Sequence, residues 1–157
     1  MKQVAQNSPL RLFYHTDGLE TGQSVIFDIW NDSGIQLYDD VAATEIGAEG
    51  VYYLDITSPA SDLYLLVVGS NNHFYPKAEV IKVGSPNLKA FYVQGTFKAG
   101  LTIPYEIYNE SDTVLASGNL TSIVSGFYSA NTEGLVTPWF LEVPPWAMKN
   151  QEDLQAK

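Results

Sequence analysis

The chain repeats itself, and an internal repeat limits the possible folds more than any other sequence feature. At an offset of 78, residues 10–33 align with residues 88–111 without a gap, and many aromatic, apolar and turn residues fall on residues of the same kind. The match resumes at an offset of 76, where Gly50-Val51-Tyr52 meets Gly126-Phe127-Tyr128. We interpret this as the duplication of a module of about 75 residues.

Each copy has the residue pattern of β-structure. Apolar residues alternate with others over residues 25–30, and the second copy alternates in the same way over residues 103–108. A period of two with β-branched and aromatic residues is typical of a strand. Asn31-Asp32-Ser33-Gly34 and its twin at 109–112 are turn formers that end the two strands. The pairs predicted to share the core face are Val25/Ile103, Phe27/Tyr105 and Ile29/Ile107.

The domain organisation follows from the repeat. Short strands that recur every 8–12 residues or so predict an all-β protein of two tandem small antiparallel β-sandwich modules. The modules span residues 10–84 and 88–146, with Gly84-Ser85-Pro86-Asn87 as the linker. Residues 1–9 are predicted to form an N-terminal arm, and residues 147–157 a polar tail.

The two copies differ at their ends. The first closes with a predicted strand at Val80–Val83, whereas the second either lacks its last strand or fills that place with something else. A sheet that lacks a strand exposes an edge that a partner can complete. Pro104, inside a predicted strand, also indicates an edge or a bulge. Pro104, Trp139 and Trp146 are therefore candidate interface residues together with the arm, and core or inter-module packing is the alternative for both tryptophans.

Two further aromatic residues are predicted to point outward. Trp30 and its twin Tyr108 fall on the strand face opposite the predicted core. Exposed aromatic rings stack on sugars or anchor protein interfaces. The spacing shows no cluster of three coplanar rings, so an interface anchor is favoured over a sugar platform, and core packing remains an alternative.

The residue types that carry catalysis form no recognised constellation. The chain has no cysteine, and its two histidines, His15 and His73, lie far apart in the sequence without a metal-ligand spacing. Asp28 and its twin Glu106 are predicted to lie on a solvated strand face. Asp39-Asp40 with Asp32 is a weak calcium candidate, because the calcium-loop pattern is absent. We predict no cofactor, no metal site and no enzyme activity, with a carboxylate-dependent hydrolase as a distant alternative.

Charge excludes two further classes of partner. The formal net charge is -10, so a broad basic surface for nucleic acid phosphates or anionic lipid is not expected. No apolar run approaches the roughly 20 residues of a membrane helix. We therefore expect no nucleic acid and no membrane among the partners.

The repeated pattern and the segment Thr44–Tyr53 (TEIGAEGVYY) together resemble small modules of tailed-bacteriophage virion proteins. The resemblance covers residues 10–84 and, more weakly, residues 88–143. It implies immunoglobulin-like or fibronectin-like β-sandwiches, as in tail-tip, collar, fibre-attachment and head-decoration proteins, and it carries over no catalytic residue. The second copy departs from the pattern, since Thr121–Gly126 replaces the fuller segment of the first.

These features lead to one functional expectation. We expect a non-enzymatic virion component, at the tail rather than the head, made in the host cytoplasm. It would assemble as a homo-oligomeric ring, such as a collar, fibre-attachment or tail-tip protein, together with other virion proteins. The alternative is a pair of carbohydrate-binding modules, on a phage or a bacterial surface protein, that uses Trp30 and Tyr108.

Overall fold

The structure is a computed structural model, which describes residues 1–71, 74–93, 100–124 and 126–144. The chain divides into two compact units between Pro86 and Asn87. Within the described residues, the secondary structure is β apart from one 3-10 turn at Asp17–Leu19. The predicted all-β class is therefore confirmed.

The first unit contains two sheets. Their strand orders are β1-β8-β7-β3-β4 and β2-β6-β5, and every pairing is antiparallel except that of β1 with β8. The strands are β1 (Lys2–Val4), β2 (Pro9–His15), β3 (Val25–Asn31), β4 (Gln36–Ala42), β5 (Thr44–Glu45), β6 (Val51–Thr57), β7 (Leu63–Asn71) and β8 (Phe74–Val83).

The second unit also contains two sheets, each with three strands in the described part of the chain. Their orders are β11-β10-β14 and β12-β13-β9, and all pairings are antiparallel. The strands are β9 (Ala90–Val93), β10 (Pro104–Tyr108), β11 (Val114–Asn119), β12 (Thr121–Val124), β13 (Phe127–Ala130) and β14 (Phe140–Glu142).

Each unit has its own apolar core, to which both of its sheets contribute. The predicted core faces are correct, because Val25, Phe27 and Ile29 are buried in the first unit. Ile103, Tyr105 and Ile107 are buried in the second. Val25, Phe27 and Ile29 alternate along β3, and Ile103, directly before β10, alternates with Tyr105 and Ile107, so a period of two brings each set to one side of its sheet.

The N-terminal segment differs from the predicted arm. Lys2–Val4 forms β1 and pairs in register with Ile81–Val83 of β8, and Val4 packs against the core. Gly84 donates its backbone N–H to the carbonyl of Val4, which ties the end of the first unit to this strand. The segment is therefore part of a sheet, because its backbone groups find partners along the β8 edge.

Pro104 pairs with Asn119 of β11, whereas β14 pairs with Glu106–Tyr108 only, so Pro104 itself has a strand partner on one side. Pro104 is the first residue of β10, and β10 is the central strand of its sheet, between β11 and β14. Proline is tolerated at the first position of a strand, where its missing N–H costs little. A bulge does occur in this strand, but the register shifts between Ile107 and Tyr108.

The end of the second unit can be followed as far as Pro144. Within the described residues, β14 has β10 as its neighbour, and no counterpart of β8 or β1 is seen. Trp146 and the predicted tail at 147–157 lie outside the described residues, as does His73.

An asparagine side chain closes the turn after β3 and the turn after β10. Asn31 Oδ1 accepts hydrogen bonds from the N–H groups of Ser33 and Ile35, at 3.0 and 2.9 Å. Asn109 Oδ1 accepts from Ser111 and Thr113 at 2.9 and 3.0 Å. The backbone N–H of each asparagine also donates to the carbonyl four residues later. The two turns thus have the same geometry, as expected for asparagine in a tight turn.

A buried tyrosine is used in the same way in both units. Tyr52 and Tyr128 are almost fully buried. The hydroxyl of Tyr52 accepts a hydrogen bond from the Gln23 N–H at 2.7 Å, and that of Tyr128 accepts from the Leu101 N–H at 3.1 Å. Each bond joins one sheet to the chain segment that leads into the other, which satisfies a polar group at the core boundary.

We predict that Asn31→Ala lowers the free energy of unfolding of the first unit by about 1 kcal/mol, because two backbone donors lose their acceptor. Asn31→Asp keeps an acceptor oxygen at the same place and should lose much less. Urea unfolding of the three proteins measures the difference. Equal stability of the alanine and aspartate variants would contradict this role for the side chain.

Candidate functional site

The aromatic residues predicted to be exposed are only partly so. Trp30 lies near the end of β3 and Tyr108 at the end of β10, and both side chains are half-buried. The two belong to different units. Neither is a freely exposed ring of the kind that a flat sugar platform requires.

Trp139 lies inside the core of the second unit. Its side chain is 9% exposed, and it packs in the same cluster as Tyr105 and Leu141. Trp139 is therefore a core residue of the second unit, as the packing alternative predicted, and not an exposed interface residue of this unit. Its indole N–H has no hydrogen-bond acceptor in the described part of the protein.

Tyr108 is tied to a neighbouring carboxylate. Its hydroxyl donates a hydrogen bond to Glu106, two residues earlier in β10. This bond raises the pKa of Tyr108 to about 12, and the nearby carboxylates Glu142 and Asp112 act in the same direction. The high pKa reflects a locally negative surface, since negative charge opposes the formation of a phenolate.

Acidic residues form a row across the sheet of the second unit. Glu106 lies directly opposite Glu142 of β14 on one side and Ser117 of β11 on the other. All three side chains are exposed. Like charges directly opposite each other destabilise a sheet. The same residues line a groove of about 330 Å³, together with Pro104, Tyr105, Gly118, Val143 and Pro144.

The outer strand of this sheet, β11, carries no charge. Its sequence is VLASGN, and the side chains of Val114 and Leu115 are 47% and 37% exposed. Within the described residues β11 pairs with β10 alone. The sequence-based prediction of an open edge at the end of the second unit missed this strand. The signal was a strand-length run without a charge immediately after the second turn.

An outer strand of the first unit, β4, has features that hinder its pairing with another chain. It carries Asp39 and Asp40, both exposed. The register of β3 against β4 shifts on both sides of Ile29, and Asp40 has a φ of 49°. Charges and bulges on an edge strand hinder pairing with another chain.

Three carboxylates gather at this bulge. Oxygen atoms of Asp28, Asp39 and Asp40 lie within 4.8 Å of one another. Asp28 is 9% exposed and accepts a hydrogen bond from the N–H of Asp40 at 2.9 Å. The prediction of a solvated Asp28 is therefore wrong, because the bulge turns the Asp40 N–H toward it, whereas Glu106 is exposed as expected. The calcium candidate combined Asp39 and Asp40 with Asp32, but Asp32 is not part of this group. The three carboxylates alone supply fewer residues than the six to eight oxygen ligands that calcium takes.

Within the segment Thr44–Tyr53, Glu45 has a structural role. Its carboxylate accepts hydrogen bonds from the N–H groups of Gly22 and Gly50, at 3.0 and 3.1 Å. Gly50 has a φ of 69°, and a Cβ there would lie 2.3 Å from the backbone of Leu19. The glutamate and the glycine thus hold two loops together. In the second unit Ser122 lies opposite Tyr128, as Glu45 lies opposite Tyr52 in the first, so this carboxylate is absent from the second unit.

Comparison with known proteins returned no match among protein-family models, curated proteins or solved structures. In the described part of the chain, no helix is long and apolar enough to cross a membrane.

We predict that Glu45→Ala destabilises the first unit by about 2 kcal/mol, since two backbone donors lose a charged acceptor. Glu49→Ala is the matched control, because Glu49 is exposed and four residues away in the same segment. Urea unfolding provides the comparison. If the two variants are equally stable, the Glu45 contacts do not hold the loops.

Glu79 makes the stability of the first unit depend on pH. Burial raises the pKa of Glu79 above its ordinary value of 4.5, and Lys2 and the N-terminal amino group only partly oppose this. Ionisation of Glu79 therefore costs more in the folded state than in the unfolded chain, and the penalty is fully present once the pH exceeds the folded pKa. Glu79→Gln removes the penalty, so it should stabilise the protein at pH 7.

The Glu79→Gln advantage should shrink as the pH falls through the raised pKa of Glu79, and it should be lost below 4.5, where wild-type Glu79 is protonated in both states. Urea unfolding at pH 7 and pH 4 tests this, with the exposed Glu20→Gln as the control for charge removal alone. An advantage that is the same at both pH values would contradict the assignment to Glu79.

Proposed function

We propose that the protein is a non-enzymatic structural component of a tailed-bacteriophage virion, built from two immunoglobulin-like β-sandwich modules that arose by duplication. It works by assembly, as a ring at the tail, with other virion proteins as partners. The observation that carries the structural part of the proposal is the shared architecture of the two units. The virion setting is supported by the sequence resemblance of residues 10–84.

The strand order of the first unit supports the immunoglobulin-like part. In chain order, β2-β6-β5 corresponds to strands B-E-D of such a domain, and β8-β7-β3 to strands G-F-C. β4 takes the place beside strand C that variable-type domains fill with an additional strand. Residues of both sheets share one core, as in a sandwich.

Three correspondences between the units support the duplication. The sheet β11-β10-β14 matches β4-β3-β7, and β12-β13-β9 matches β5-β6-β2. The asparagine turn is the same at Asn31 and Asn109. The tyrosine hydroxyl bond is the same at Tyr52 and Tyr128. These positions lie at the offsets of 78 and 76 found in the sequence.

The nature of the shared residues favours a structural role. The positions that agree between the copies close turns, fill cores or satisfy buried polar groups. The carboxylates differ, because Asp39, Asp40 and Glu45 have no acidic counterparts in the second unit, and Glu106, the twin of Asp28, is exposed rather than buried. The carbohydrate-binding alternative is less favoured, since Trp30 and Tyr108 are half-buried and the Tyr108 hydroxyl is bound to Glu106.

We predict that the purified chain forms a closed oligomer in solution, and that removal of residues 144–157 dissociates it. Light scattering coupled to size exclusion gives the mass of both forms. Circular dichroism of the truncated chain checks that it keeps its β-structure. A monomeric full-length chain would contradict self-assembly.

Mass spectrometry of gradient-purified phage particles tests the virion role directly. The chain should co-sediment with the major capsid protein at a fixed ratio. Its absence from the particles would overturn the proposal. A titration with neutral oligosaccharides, compared for wild type, Trp30→Ala and Tyr108→Ala, tests the alternative, which requires saturable binding that both substitutions abolish.

A further inference from the structure

We propose that the free edge of β11 binds an extended segment of a basic partner protein, which adds a strand to the sheet β11-β10-β14. The inference rests on the proposed function, since a virion component must contact its neighbours, and it names the chemistry of one such contact. In the partner segment, lysine or arginine alternates with apolar residues.

The edge itself supplies the first argument. On its outer side β11 presents backbone N–H and C=O groups without a neighbouring strand in the described part of the chain. Its six residues, Val114–Asn119, carry no charge, and Val114 and Leu115 are exposed. Strand addition to such an edge gains main-chain hydrogen bonds together with contacts from alternate side chains.

The contrast with the first unit gives the second argument. The equivalent strand β4 has Asp39 and Asp40 on its edge and a register shift on each side of Ile29. β11 has one shift, next to Tyr108, and the pairing of residues 116–119 with β10 is regular. The two edges therefore differ in the features that block strand addition, and β11 is the one left open.

The acidic groove beside β11 favours a basic segment at this edge. A strand added to β11 would lie about 5 Å beyond Ser117 and about 10 Å from Glu106. Ser117 and Gly118 are small, so a long cationic side chain can cross them to reach the groove that Glu106 and Glu142 line. There it would meet two opposed carboxylates and reduce their mutual repulsion.

Among the described residues, no lysine or arginine forms an ion pair with Glu106 or Glu142. The ion pairs Arg11–Asp55 and Lys77–Asp17 lie in the first unit, and neither involves Glu106 or Glu142. A second copy of the chain, with a net charge of -10, would add negative charge to a negative surface. A basic segment from another protein is therefore the occupant that the charges favour.

The test uses the full-length chain and a synthetic peptide, fluorescein-labelled TKVKVKT, with TEVEVET as the charge-reversed probe. Fluorescence anisotropy at low salt should show saturable binding of TKVKVKT alone. The double variant Glu106→Gln/Glu142→Gln should bind it about fivefold more weakly. Glu133→Gln, an exposed glutamate outside the groove, should bind like wild type. Leu115→Lys should abolish binding by placing a charge on the edge.

Amide hydrogen exchange distinguishes strand addition from simple charge attraction. Binding of TKVKVKT should slow exchange in residues 114–119 and leave β4 unchanged. Peptide binding without this protection would overturn the proposal, as would equal binding of TEVEVET. Protection that rises with protein concentration in the absence of peptide would show that a second copy occupies the edge, which also overturns it.

The peptide experiment needs no phage particle. Its failure would remove the β11 site and leave the virion role standing, whereas absence of the chain from particles would remove the virion role and leave the β11 site standing.

Discussion

In both units the hairpin register depends on one asparagine side chain. Asn31 and Asn109 each accept two backbone hydrogen bonds and so define where one strand ends and the next begins. A slip of one residue in either hairpin would turn its apolar residues to the opposite face. The buried row of Val25, Phe27 and Ile29 is held in the same register on its other side by β7, so the turn and the β3–β7 pairing support one another.

The sequence alone was sufficient for the parts of the fold that local periodicity determines. Alternation identified the core faces of β3 and β10, and turn residues located their ends, because both signals lie within a few residues. Asp28 was misplaced because its burial depends on a bulge formed with Asp39 and Asp40, which a simple alternation does not contain. Pro104 begins a central strand but lies beyond the end of its pairing with β14, and a proline there has the same local pattern as one on an edge.

The candidate site was harder to predict than the fold. The opposed pair Glu106 and Glu142 is separated by 36 positions in the chain, and only the pairing of β10 with β14 brings it together. The burial of Trp139 likewise depends on tertiary packing. The uncharged run of β11 was visible in the sequence, but its meaning required the knowledge that this strand lies at the edge of its sheet. Function at surfaces therefore depends on strand order more than on any single residue.

The different edges of β4 and β11 have a consequence for folding. Two similar hairpins in one chain can exchange strands while the chain folds, which is a typical failure of repeated domains. A strand with two aspartates and a bulge in one hairpin, and an uncharged strand in the other, are not interchangeable. The difference in sequence between the two hairpins thus helps each β-strand to find the partner from its own half of the chain.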